Sequence, residues 1–343
     1  MIGWTLDRKM VAAMAAGVAI LALMIWSFNP REIVSALYRV NPTFLALAVI
    51  VQLVDLALWS LRWHTVLERA GVRAPFVLTF LINNVSMLVN NVTPSARSGG
   101  EPLRVYLLSR LTGHRVRDVA SSVAIDRILD YFPLIVLLLV SMVAMLRTGG
   151  KIVHLLAAGA LFLTAALVFS VWTMANERII LRFGAGVSRL LSRLRPDKKI
   201  DAERVERWAR RFVRSFRSLL ADPGTLVRGV TVSVAVWACE ILRTYLVFLS
   251  LGCPVSLPVV VVGFTVSMLV GVLPLLPGGL GAVEVSTAST YAVLGIDRGT
   301  SAAAVILDRA ISYWMVNAIG LVSLLHVSRR KGRGESEDAV RAG

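Results

Sequence analysis

The chain has 343 residues, 56% of them hydrophobic, and a formal net charge of +16. A mean hydropathy of +0.71 excludes an ordinary soluble domain and gives a polytopic membrane protein. The basic residues lie between the apolar runs, so they read as cytoplasmic loops and not as a nucleic-acid surface. Two cysteines, Cys239 and Cys253, and four scattered histidines exclude a disulfide framework and show no metal-ligand spacing, so no cofactor is expected.

A crossing helix needs about 20 apolar residues. In chain order, six segments qualify: 10–27, 43–61, 120–146, 152–174, 230–251 and 302–326. The first follows Met1 to Lys9 with no small-residue cleavage site, which reads as a retained span. Two apolar stretches, 76–92 and 258–276, are shorter or broken. One carries Asn83, Asn84, Asn90 and Asn91 and stops at Pro94. The other ends in Pro274 and then Pro277-Gly278-Gly279-Leu280-Gly281. Each precedes a moderately apolar helix, 99–112 and 280–294. Irregular backbone at membrane depth is tolerated only inside protein or along a cavity. The pattern therefore predicts an all-α membrane protein with about six full spans and two re-entrant helical hairpins.

Basic residues cluster at 62–73, 104–117, 175–229 and 329–333. Placing these clusters inside makes both termini cytoplasmic. The first hairpin then dips in from the cytoplasm and the second from outside. Within 175–229, Val205, Trp208, Phe212, Phe216 and Leu219 share one helical face. Arg207, Arg210, Arg211, Arg214 and Arg217 surround it. This predicts an amphipathic helix lying on the anionic cytoplasmic leaflet.

A motif recurs along the chain. Pro94, Glu101, Asp126-Arg127 and Tyr131-Phe132 return as Pro277, Glu284, Asp308-Arg309 and Tyr313-Trp314. Glu101 to Asp126 is 25 positions and Glu284 to Asp308 is 24. The same pentapeptide precedes both, at 85–89 and 266–270. Combined with the charge rule, the recurrence predicts an inverted duplication. Its first repeat is 1–150, its second is 151–328 with the basic loop 175–229, and a cytoplasmic tail follows at 329–343. Inverted repeats around a midplane site are a transporter architecture.

Charges inside spans are costly and mark function. Asp126 and Arg127 lie within the third span, Asp130 follows one turn on, and Pro133 predicts a kink. Asp308 and Arg309 occupy the matching place in the last span, near the opposite leaflet. Adjacent helical residues point away from each other, so Asp and Arg need not pair together. Two readings stand: these residues pin the hairpins, through backbone groups or through Glu101 and Glu284, or they contact substrate. At the first elbow, Gly99-Gly100 opens a helix whose N-terminus suits a lipid phosphate near Arg97 or Arg104. The second elbow, Pro277 to Gly281, lacks those arginines. At both elbows the glycines also suit tight helix packing. Arg62 and Arg243 stand 181 positions apart, with Asp55 two turns before Arg62. Arg62 reads as a snorkelling residue at the cytoplasmic boundary. Glu240 and Arg243 are deeper, can pair at i, i+3, and rank above it.

These residues carry a resemblance. Asn90-Asn-Val-Thr-Pro94, Gly99-Gly-Glu101-Pro-Leu-Arg104, Ser121 to Arg127, Pro277 to Glu284 and Leu307-Asp308-Arg309 resemble the flippase-like transmembrane domain of lysylphosphatidylglycerol synthases and its free-standing relatives. The likeness covers about 10–328. That family's second elbow often has arginine before the glutamate, where this chain has Val283. The resemblance is to the transmembrane domain and does not extend to the fused aminoacyltransferase of the synthases, so it does not imply lipid aminoacylation. The resemblance implies a non-enzymatic flippase for a lipid or a lipid-linked precursor. Arg127, Arg243 and Arg309 would neutralise the phosphate. Asp126, Asp308, Glu101 and Glu284 would hold the hairpins or meet a cationic headgroup, with Asp130, Tyr131, Glu240 and Tyr313 beside them. The implied partners are membrane lipids, anionic phospholipid or polyprenyl-linked precursor, and a homo-oligomer is compatible with this. A membrane enzyme on a lipid-linked substrate and a small-solute or ion-coupled transporter are the alternatives.

Overall fold

A computed structural model of the chain describes residues 19–20, 22–93, 99–145, 151–194, 202–273 and 276–342. Every regular element among them is helical. A short α1, Pro30–Tyr38, leads into α2, Pro42–Arg69. Pro42 presets the first turn of α2, and the Asn41 side chain accepts from the Thr43 N–H at 2.9 Å. The pair α3 (Phe76–Val92) and α4 (Glu101–Thr112) follows, closed by Gly113. Next come α5 (Val116–Met145), α6 (Lys151–Ala175), α7 (Glu177–Leu194) and α8 (Ala202–Ala221).

After α8 comes α9, Pro223–Ser250. Asp222 caps it, accepting from the Gly224 and Thr225 N–H groups. The Thr225 hydroxyl holds the Asp222 carboxyl below its usual range. A second short pair, α10 (Leu257–Val272) and α11 (Ala282–Val293), is joined through a tight turn at Pro277–Gly279. The last helical rod comprises α12 (Arg298–Arg309), a π-helical segment (Ala310–Met315) and α13 (Val316–Ala342).

Five helices are long and apolar enough to cross a membrane: Pro42–Arg69, Val116–Met145, Val153–Ala175, Pro223–Ser250 and Arg298–Arg329. They match the predicted spans from 43–61 onward, and most run longer than expected. The predicted first span, 10–27, lies mostly outside the described residues, as do Pro94 and Arg97 at the first elbow. The exterior carries a broad apolar face: Leu161, Phe162, Val168 and Phe169 on α6 are all exposed, as a lipid-facing wall requires.

α2 and α9 form the central pair, and α5 packs against both. α3 lies against α13 and α2. Pro133 is accommodated inside a continuous α5. Its missing N–H leaves the carbonyl four residues earlier unpaired, and the Ser233 hydroxyl of α9 donates to it, Oγ to Leu129 O, at 2.8 Å.

The predicted apolar face of α8 is divided: Trp208 is exposed near its start, and the rest, from Phe212 on, is buried in protein, not free to meet a leaflet. Phe212, Val213, Phe216 and Leu219 pack on Val66 of α2 and Ile125 and Leu129 of α5. Arg217 donates twice to the Ala175 carbonyl, closing the end of α6. The other arginines remain outward.

Candidate functional site: two arginine–carboxylate sets around a central cavity

Arg62 comes from α2 and is fully buried, which corrects its reading as a boundary residue. Its Nε donates to Asp126 Oδ1 at 2.8 Å, and its Nη1 to Asp130 Oδ1 at 3.1 Å and Ser233 Oγ at 3.2 Å. Arg104 of α4 takes the other oxygen of Asp126, Nη2 to Oδ2, at 2.6 Å. It also donates to Asn83 and lies 4.0 Å over the Trp63 ring. Both oxygens of Asp126 are thus committed, and Arg104 is closed to any headgroup. Arg127 turns away from its neighbour and pairs with Glu101, Nη2 to Oε1, at 2.9 Å.

The second copy repeats this plan. Arg243 Nε donates to Asp308 Oδ1 at 2.9 Å, as Arg62 does to Asp126. Arg309 Nε donates to Glu284 Oε1 at 2.6 Å, as Arg127 pairs with Glu101. Asp308 and Arg309 therefore choose different partners, one on α9 and one on α11. Arg309 also donates to the Gly278 carbonyl at 3.0 Å, and Glu284 Oε2 accepts the Gly281 N–H at 2.7 Å. Together they pin the second elbow. Gly278 has φ +58, and a side chain there would collide with the Tyr313 ring and the Asn91 carbonyl. The first elbow is held at Gly100, whose N–H donates to Asn90 Oδ1 at 2.7 Å.

One contact crosses between the copies in both directions. Arg62 on α2 donates to Ser233 on α9, and Arg243 on α9 donates to Gln52 on α2 at 2.6 Å. The shift of 181 that relates Arg62 to Arg243 also relates Gln52 to Ser233. Moving forward on one helix moves backward on the other, so α2 and α9 run antiparallel. Arg62 and Arg243 each stand twenty residues past the first proline of a 28-residue helix.

Between these sets lies a cavity of about 140 Å³. Its three lining arginines, Arg127, Arg243 and Arg309, face four carboxylates, Asp55, Asp130, Glu240 and Asp308. Trp59, Phe264, Met268 and Tyr313 supply aromatic and apolar wall. Glu240 pairs with Arg243 Nη1 at 2.5 Å, the i, i+3 contact expected. Asp126, Glu101, Arg104 and Glu284 stand behind this lining. Tyr131 lines an adjoining space of about 40 Å³ with Arg127 and Glu240. Sequence reasoning passed over Gln52, Trp59 and Ser233. The recurring shift of 181 was the signal that would have found the first and last. Among the described residues no group of three or more His, Cys, Asp or Glu could hold a metal ion.

Residues 10–320 match the lysylphosphatidylglycerol synthase TM region family. The chain belongs to this family. A UPF0104 membrane protein of Methanothermobacter thermautotrophicus is 32% identical over 326 residues, covering 93% of this chain and 96% of that relative. A UPF0104 membrane protein of Pyrococcus horikoshii is 26% identical over 317 residues, covering 90% and 94%. Glycosyltransferase AglD of Haloferax volcanii is 26% identical across 96% of this chain, which spans 56% of that protein. Within the lysylphosphatidylglycerol synthase TM region family, this chain is a multi-pass membrane protein like the first two relatives.

Proposed function

We propose that the protein moves an amphiphile with a phosphate-bearing headgroup across the membrane, the headgroup passing through the central cavity while the tails stay in lipid. The observation that carries this is the cavity itself. Three arginines reach it, and they come from both copies of the motif. Arginine suits phosphate because its planar fork donates two parallel hydrogen bonds. The antiparallel α2–α9 pair and the repeated ion pairs support an inverted repeat with α3–α4 and α10–α11 as re-entrant hairpins. In this reading both termini are cytoplasmic, and opening alternates between the two hairpin sides.

The test is reconstitution into liposomes carrying a fluorescent phosphatidylglycerol, with a membrane-impermeant quencher outside. The protein should bring inner-leaflet lipid within reach of the quencher. Arg127→Gln and Arg309→Gln should each slow this roughly ten- to hundredfold, the effect of losing a charge-assisted hydrogen bond of about 1.5–3 kcal/mol. Flux no faster than in protein-free vesicles, with this and with polyprenyl-phosphate lipids, would overturn the reading.

A second reading, chemistry on a lipid-linked substrate, is favoured by the name of the Haloferax relative. The matched ion-pair sets in the two copies speak for translocation, because catalysis has no need of two. Product formation from a lipid-linked sugar by the purified protein would favour the enzyme.

A further inference from the structure

The charges around the cavity do not balance. In the first copy Arg62, Arg104 and Arg127 face Glu101, Asp126 and Asp130, one for one. In the second, Arg243 and Arg309 face Glu240, Glu284 and Asp308. Asp55 enters the same space from α2. Among the described residues the second set thus holds two carboxylates more than arginines. Net charge at membrane depth is expensive, and two carboxylates in one site do not both ionise cheaply.

Asp55 is the group left over. It is 2% exposed and lines the cavity. Its Oδ2 accepts from Gln52 Nε2 at 3.0 Å, while Oδ1 is buried and accepts no hydrogen bond. The charges facing it are Glu240 and Arg243 of α9 and Arg62 of its own helix. Cys239 lies on the same side of α9. Across the cavity stand Arg127 and Asp130 of α5, Asp308 and Arg309 of α12, and Tyr313 of the π segment. Arg243 has every nitrogen engaged by Asp308, Glu240 or Gln52. The acids are unmatched between the copies: the shift of 181 places Val236 opposite Asp55 and Trp59 opposite Glu240.

We propose that Asp55 binds a proton in the cavity and that this proton is linked to headgroup binding. The proton comes from water to Oδ1 and returns to water. When it is bound, the cavity carries one negative charge fewer, and an anionic headgroup meets less repulsion beside Arg243. The linkage to a headgroup rests on the translocation reading; the proton site does not.

Infrared spectroscopy of the purified protein in nanodiscs tests the site alone. Wild type should show a protonated carboxylic C=O band that disappears as pH rises. Asp55→Asn, which keeps the Gln52 contact, should lack it, and Asp55→Glu should restore it. A band undiminished in Asp55→Asn, or none in wild type, overturns the assignment. In the liposome assay, wild-type flux should rise toward tenfold per unit of acidification, the limit for one linked proton. Asp55→Asn should be flat. Flux at fixed pH that requires sodium in place of a bulky organic cation would overturn the proton in favour of a metal cation. A wild type that moves no lipid but shows the titrating band refutes translocation and retains the proton site.

Discussion

Asp126 shows how a membrane-buried carboxylate is made tolerable. Each of its oxygens takes an arginine, Arg62 on one side and Arg104 on the other. Asp126→Ala should therefore destabilise the protein by about 3–5 kcal/mol, because it leaves buried guanidinium charge uncompensated. Chemical denaturation in mixed micelles measures this. Arg127→Gln, at the more open cavity wall, should reduce flux with a smaller loss of stability. The carboxylates and the Asp-Arg pairs were legible in the sequence because charge in an apolar run is conspicuous. The depth of Arg62 was not. α2 runs to Arg69, eight residues past its expected end at 61, and that carries Arg62 from the boundary into the interior. Trp59 and Trp63 lie beneath the three first-copy arginines, covering charge that sequence alone leaves bare.

Among the helices, a break in regularity recurs at one place. Pro133 in α5 and the π segment ending at Met315 stand 182 positions apart, and each interrupts the ordinary ladder beside the cavity. In α5 the freed carbonyl is what Ser233 holds while receiving Arg62. Ser233→Ala should cost about 1–3 kcal/mol in wild type, by orphaning a buried acceptor and a donor. In a Pro133→Ala background the carbonyl regains its helical partner, so the cost should fall. Additive effects in that double-mutant cycle would refute the link. α8 illustrates a limit of pattern reading. An apolar stripe ringed by arginine fits a lipid surface and a protein surface equally, since both are apolar partners. Burial of Phe216 decides it, and Phe216→Ala should cost about 3–5 kcal/mol, as a core deletion does. A lipid-facing residue would lose far less.

For the whole molecule, the order of the five crossing helices among the described residues followed from hydropathy, and the existence of two short helical pairs followed from the broken stretches at Asn90 and Pro274. The inverted relation between the copies was read from the recurring motif and the charge rule, and the Arg62–Ser233 and Arg243–Gln52 contacts are what the tertiary structure adds to it. The translocation reading makes a topological prediction. The loop after α4, at Gly113, and the loop after α11, at Gly295, should lie on opposite sides of the membrane. Single cysteines there, with Cys239 and Cys253 replaced, should react with an impermeant maleimide from opposite faces of sealed cells. Labelling from one face would break the inverted arrangement.

The two-way arginine contact between α2 and α9 has the form of an isologous dimer interface, in which each partner lends the other the same group. On the inverted-repeat reading, a chain half as long, inserted in both orientations, would meet itself through that contact. Joining the copies in one polypeptide then releases them from being identical: Gln52 and Ser233 differ, yet each accepts from the arginine across the axis. Asp55 and Glu240 have gone further, giving one side a chemistry the other lacks. The contact that keeps the copies together is thus also what allows them to become different.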